Sequence, residues 1–155
     1  MESRCPILIL GVGNILLKDE GVGVRVIEAM QKMEMPPDVE LCDGGTAGAD
    51  LLDIISDRRK LIIIDSADAD FPPGTILKMG PQDLAIEDRA EISLHEFAVT
   101  QTLHAAAQLK CSPKETVIFG IKPFEISCST ELSPQIAALI QPLIKAVLAE
   151  AALIQ

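Results

Sequence analysis

Three features of these 155 residues predict an α/β fold: a three-layer, doubly wound, mostly parallel twisted sheet of about five strands with helices on both faces. Short apolar runs alternate with helical segments along the whole chain, the pattern of repeated strand–helix crossovers. The runs Ile7–Gly11, Leu61–Ile64 and Thr116–Ile121 are largely apolar without alternation, as strands covered on both faces are. The last segment places Ile136, Leu139, Ile140, Leu143, Ile144, Val147, Leu148 and Ala151 at helical spacing without a miss.

Taken in order, Ile7–Gly11 is a first strand closed by glycine. Asp19 stands where it can cap a helix over Gly21–Met33, whose Val22, Val26, Ile27, Met30 and Met33 share one face. Met35-Pro36-Pro37-Asp38 stops that helix, and Val39–Cys42 reads as the second strand. A short helix is expected over Ala49–Ser56, then a third strand, Leu61–Ile64, ending in Asp65. Pro72-Pro73-Gly74 turns the chain into an edge strand at Thr75–Met79. Gly80–Ser93 is polar and irregular and reads as loop with at most a turn of helix. Glu96–Leu109 is expected to be helical, Thr116–Ile121 a further strand, and Ser133-Pro134 the start of a final helix kinked by Pro142. One domain, 1–155, accounts for the chain, with no repeat or linker.

Composition narrows the function classes. Hydrophobic residues at 48% and charged residues at 23% are those of a folded domain. Thirteen basic against twenty-three acidic residues give a formal charge of −10, which repels a phosphate backbone, and aromatics at 3% offer few stacking platforms. Nucleic acid is therefore not an expected partner. The four cysteines, Cys5, Cys42, Cys111 and Cys128, form no C-x-x-C pair and are expected to be buried, reduced thiols. No stretch reaches the ~18 uninterrupted apolar residues of a membrane span, and Pro6–Leu10 is too short for a signal-peptide core. A cytoplasmic protein with no membrane partner is expected.

In doubly wound folds the working residues lie beyond the carboxyl ends of the strands. That rule selects the loops beginning at Gly11, Asp43, Asp65 and Ile121. Gly11-Val12-Gly13-Asn14-Ile15-Leu16 imitates a dinucleotide fingerprint for three residues, then puts Leu16 at the third glycine position. It ends in Asp19-Glu20, which a pyrophosphate would not tolerate. Asp19 reads more readily as a helix cap than as a ligand, and Glu20 alone is a solvated first-turn carboxylate. Asp65 at the end of a buried strand is costly unless a cation or nearby donors compensate it. Asp68 and Asp70 lack the glycine and distal glutamate of a calcium loop and read as surface charges. His104 is expected to be a half-buried helix residue. His95-Glu96-Phe97-Ala98-Val99 fails the H-E-x-x-H zinc pattern, and no G-x-S-x-G elbow or activated cysteine is present.

Jointly these loops resemble a family. Gly11-x-Gly13-Asn14, Leu16 and Asp19-Glu20-Gly21-x-Gly23 resemble the opening signature of nickel–iron hydrogenase maturation endopeptidases. Asp43-Gly44-Gly45-Thr46-x-Gly48, Asp65 after Leu61–Ile64, Ser93-Leu94-His95, Gly120-Ile121-x-Pro123 and Leu132-Ser133-Pro134 match the motifs that follow, in order and over essentially the whole chain. The resemblance implies a protease that removes the C-terminal extension of the hydrogenase large-subunit precursor after nickel insertion. It implies metal ligation by Glu20, Asp65 and His95, and recognition or cleavage by the loop of Asp43, Gly44, Gly45 and Thr46. Glu20 stands where many relatives have aspartate, and Ser66 where they have alanine. Two carboxylates and an imidazole suit nickel carried by the precursor, with zinc or cadmium able to occupy the same site. Asp43 is either a general base or a recognition residue. A second resemblance, from the signalling class, is to a receiver domain with Asp65 as phosphoacceptor, although its acidic pair comes several residues too late after the first strand.

Overall fold

The computed structural model describes residues 4–45, 50–84, 92–94 and 97–153. Within them the chain forms β1 (Ile7–Val12), α1 (Val22–Gln31), β2 (Val39–Gly45), α2 (Asp50–Ile55), β3 (Lys60–Ala69), β4 (Ile76–Met79), β5 (Ile92–Leu94), α3 (Phe97–Gln108), β6 (Glu115–Ile121), α4 (Pro134–Ala137) and α5 (Ile140–Ala152). The sheet order is β2-β1-β3-β6-β4, and β5 pairs with β3 outside that path. β2, β1, β3 and β6 are parallel, while β4 closes the edge antiparallel to β6. The winding reverses at β1, between β2 and β3, so a crevice is expected beyond the carboxyl ends of β1 and β3.

Strand alternation divides the core into two halves. Ile7, Ile9, Ile62, Ile64, Val117 and Phe119 meet Val22, Val26, Ile27 and Met30 of α1 and Leu143, Ile144 and Val147 of α5. On the other face Leu8, Leu10, Leu61, Ile63 and Ile118 meet Leu51 and Ile55 of α2 and Val99 and Ala106 of α3. A slip of one residue in any central strand would exchange the two sets, so the register is fixed by burial on both sides.

Several expectations are corrected. β3 does not stop at Asp65 but continues to Ala69, because Ala67, Asp68 and Ala69 pair antiparallel with Leu94, Ser93 and Ile92. That pairing partner lies in the stretch expected to be loop, where polarity hid a short strand. α1 begins at Val22 after a 3₁₀ turn over Lys18–Gly21, and Asp19 does not cap it. The final helix is interrupted at Ala138 and Leu139, which places Pro142 in the first turn of α5, where its missing N–H costs nothing. Pro134–Ala152 is long and apolar enough by length and composition to cross a membrane, yet Ile136, Leu143, Ile144, Val147 and Ala151 are packed in the core. None of the four cysteines is fully buried, and Cys128 is exposed. His104 is exposed too, with Nε2 3.3 Å from Gln108 Nε2.

At the amino end of the sheet a buried ammonium ties β3 to α5. Lys60 Nζ donates to the carbonyls of Glu150 (2.7 Å) and Leu153 (2.9 Å) and to Glu150 Oε1 (3.1 Å). A cation among the last carbonyls of a helix satisfies groups that have no partner within it and complements the helix dipole. Lys78 Nζ reaches Glu150 Oε2 at 2.7 Å, joining β4 to the same carboxylate.

Candidate functional site

The loop after β1 is shaped by close approaches. A Cβ on Gly23 would collide with the Ile64 carbonyl oxygen, so the start of α1 presses directly on the sheet. This holds the Lys18–Gly21 turn over the carboxyl ends of β1 and β3. Gly13, at φ +129°, is the meeting point. A Cβ there would collide with the Glu20 carbonyl oxygen and lie 3.5 Å from Asp65 Oδ1. Only glycine lets the Glu20 backbone and the Asp65 carboxylate close on it from two sides. Gly13 N also donates to the Gly45 carbonyl at 2.9 Å, which draws in the loop after β2.

Glu20, Asp65 and the Asp43-Gly44-Gly45 segment, which are far apart in sequence, thus gather around one glycine. Asp65 is fully buried, and its Oδ1 accepts from Ser66 N at 2.8 Å. Among the described residues the half-buried Glu20 carboxylate makes no hydrogen bond or ion pair, which leaves it available to a ligand. Asp43 is exposed. Its Oδ1 accepts from Gly45 N at 2.9 Å in an Asx turn, while Oδ2 has no partner among the described residues. His95 and Thr46 lie outside the described residues. β5 ends at Leu94 opposite Ala67, two residues along β3 from Asp65.

No group of three potential metal-ligating side chains occurs among the described residues. Gly13 brings the Glu20 backbone and the Asp65 carboxylate together, and two carboxylates carried on these neighbouring segments have the oxygen chemistry a divalent cation takes. The Cys42 thiol is pushed above its ordinary value by burial and by Glu40 and Asp43, against the opposing pull of Arg58, so it is no thiolate nucleophile.

Sequence reasoning missed the role of Asp19. Its carboxylate is fully buried and accepts four hydrogen bonds: Phe124 N (3.0 Å), Glu125 N (2.9 Å), Ser133 N (2.7 Å) and Ser133 Oγ (2.7 Å). It therefore anchors the loop after β6 instead of a helix end. No local signal announces this, because every partner is more than a hundred residues away. The same bonds count against the receiver reading, since they hold the carboxylate fully buried against the loop after β6 and commit it to four protein donors, three of them on Oδ2. A concavity of about 870 Å³ lies at the opposite, amino end of the strands, lined by Arg4, Cys5, Asp57, Arg59, Lys114 and Glu115 among others, away from these groups.

Comparison with known proteins decides the family. The family model described as "Hydrogenase maturation protease" matches residues 24–150. The hydrogenase 2 maturation protease of Escherichia coli K12 is 37% identical over 92% of this chain and 88% of its own length. The chain belongs to the hydrogenase maturation protease family. The hydrogenase expression/formation protein HupD of Thiocapsa roseopersicina is 36% identical over 94% of the chain and 67% of its own length. The solved structure of the hydrogenase maturating endopeptidase HybD from E. coli superposes with a TM-score of 0.83 at 35% identity, covering 96% of this chain and 91% of that one. A hydrogenase maturation protease is a peptidase, so the groups around Gly13 are to be judged by what peptide-bond hydrolysis needs. That reaction needs a carbonyl polarised, a water activated and a backbone held.

Proposed function

We propose that this protein removes the C-terminal extension of a nickel–iron hydrogenase large-subunit precursor once nickel has been inserted. The observation that supports this reading most is the meeting at Gly13 of the Glu20 backbone and the buried Asp65 carboxylate, next to the exposed Asp43 loop, with the Glu20 side chain making no hydrogen bond or ion pair among the described residues. Nickel belongs to the substrate. Glu20, Asp65 and His95 complete its coordination when the precursor docks, and zinc or cadmium can take the same ligands. An incomplete protein shell is suited to reading a metal held in another protein, since part of the coordination must come from the precursor.

Gly45, where a Cβ would meet only Asp43 Oδ1 at 3.6 Å, lets the peptide backbone lie against the loop, while Gly44 packs the loop onto Leu10 and Val12. Asp43 Oδ2 is free to accept a proton from the attacking water, while the Gly45 N–H holds Oδ1 in place. The nickel, when present, supplies a Lewis acid at the scissile region. Nickel-loaded and nickel-free precursor incubated with the protein separate this reading from unselective proteolysis. Mass spectrometry should show loss of the C-terminal segment from the loaded form alone, and equal cleavage of both forms would refute nickel reading.

A further inference from the structure

The rim of the site is apolar where the chain as a whole is acidic. Leu16 is 61% exposed, Phe71 45%, Phe124 43% and Ile126 42%. They occupy three loops, after β1, β3 and β6, all at the carboxyl end of the sheet. The loops are stitched together by the backbone: Ser129 N donates to the Leu16 carbonyl (3.1 Å), Lys18 N to the Ser129 carbonyl (2.9 Å), and Gly74 N to the Lys122 carbonyl (2.8 Å). Phe124 lies over Gly74, its Cε2 3.0 Å from where a Cβ would stand. The buried Asp19 carboxylate then fixes Phe124 and Glu125 from beneath. Exposed apolar side chains on so heavily tied a set of loops are not explained by the core, since none of them completes it.

From these observations we infer that Leu16, Phe71, Phe124 and Ile126 form a preorganised docking surface for the hydrogenase large-subunit precursor. This rests on the proposed function above. Two features select that occupant. The surface is continuous with the candidate site, because Leu16 lies between Gly13 and Glu20 in one loop. Two of its acids are also paired locally, Glu125 with Lys18 (3.4 Å) and Asp68 with Lys122 (3.1 Å), so in a chain of net charge −10 the negative charge beside these apolar side chains is reduced and the rim suits an apolar protein surface. Loops already ordered before docking lose little entropy on binding, which favours affinity without adding contacts.

The test is steady-state cleavage of nickel-loaded precursor by the parent protein, by Leu16→Ser with Phe124→Ser, and by Leu16→Met. The double variant should raise KM about tenfold or more with kcat retained at saturating precursor, as the loss of apolar contacts at an interface does. Leu16→Met should keep the parent KM. An unchanged KM in the double variant, or a fall in kcat alone, would overturn the docking surface while leaving the protease reading intact. A parent protein that cleaves no precursor would instead overturn the protease reading. Sedimentation of the protein alone adds one further outcome: a dimer dissolved by the double variant would assign the surface to a second copy of this chain and refute the proposal.

Discussion

Asp19 and Glu20 are neighbours in sequence with opposite fates. The first turns inward and is saturated by four donors, whereas the second keeps its carboxylate open to a ligand. Asp19→Asn replaces an acceptor by an NH₂ group facing donors, so it should cost about 3 kcal/mol of stability in denaturant unfolding. A cost below about half a kcal/mol would mean the four bonds are not made in solution. Glu20→Gln, Asp65→Asn and His95→Ala should each weaken cadmium or nickel binding in calorimetry while the fold persists. Parent-like binding by all three would remove the ligand assignment. Asp43 stands in another loop, so Asp43→Asn should bind metal normally and process the precursor poorly. Slow cleavage at every precursor concentration, by ~10²–10⁴-fold, identifies a general base. Recovery at saturation identifies recognition, and normal processing throughout leaves Asp43 only its Asx turn.

The elements differ in how they are tied down. β3 is the centre of the sheet, bonded to β1 and β6 along its first part and to β5 along its last. Its amino end is fixed to α5 by Lys60 and Glu150. Burial by itself raises the Glu150 carboxyl, but hydrogen bonds and charge from Lys78 and Lys60 outweigh it and hold the group below the ordinary glutamate range. A carboxyl whose folded value is depressed stabilises the fold above its unfolded value, about 4.3, and loses that contribution as pH falls through the folded value. Glu150→Gln should therefore be less stable than the parent at about pH 7, with the gap closing as the pH drops below ~4. A stability difference independent of pH would show that the carboxylate's charge contributes nothing. The rim loops are tied to one another by backbone bonds, and the loop after β6 is held in addition by the buried Asp19 carboxylate.

At the scale of the whole molecule, the doubly wound architecture was legible because parallel strands buried on both faces leave short apolar runs bounded by turn residues. Leu61-Ile62-Ile63-Ile64 and Ile7-Leu8-Ile9-Leu10 are such runs, and both lie at the centre of the sheet. Glycines and acids placed after strands marked the loops to examine, and the backbones of Gly13, Glu20 and Gly45 and the Asp65 carboxylate do meet there. What stayed hidden was long-range: β5, because three residues in a polar stretch carry no period, and Asp19, because its partners lie beyond residue 120. The extent of β3 past Asp65 was hidden for the same reason, since its last residues are ordered by β5. Anomalous scattering from cadmium-soaked crystals tests the central claim, that the Gly13 cradle is the metal-reading centre, most directly. We expect one strong peak bounded by the Glu20 and Asp65 carboxylates. A peak only in the concavity lined by Asp57, Arg59 and Glu115, or no peak between those two carboxylates, would contradict it.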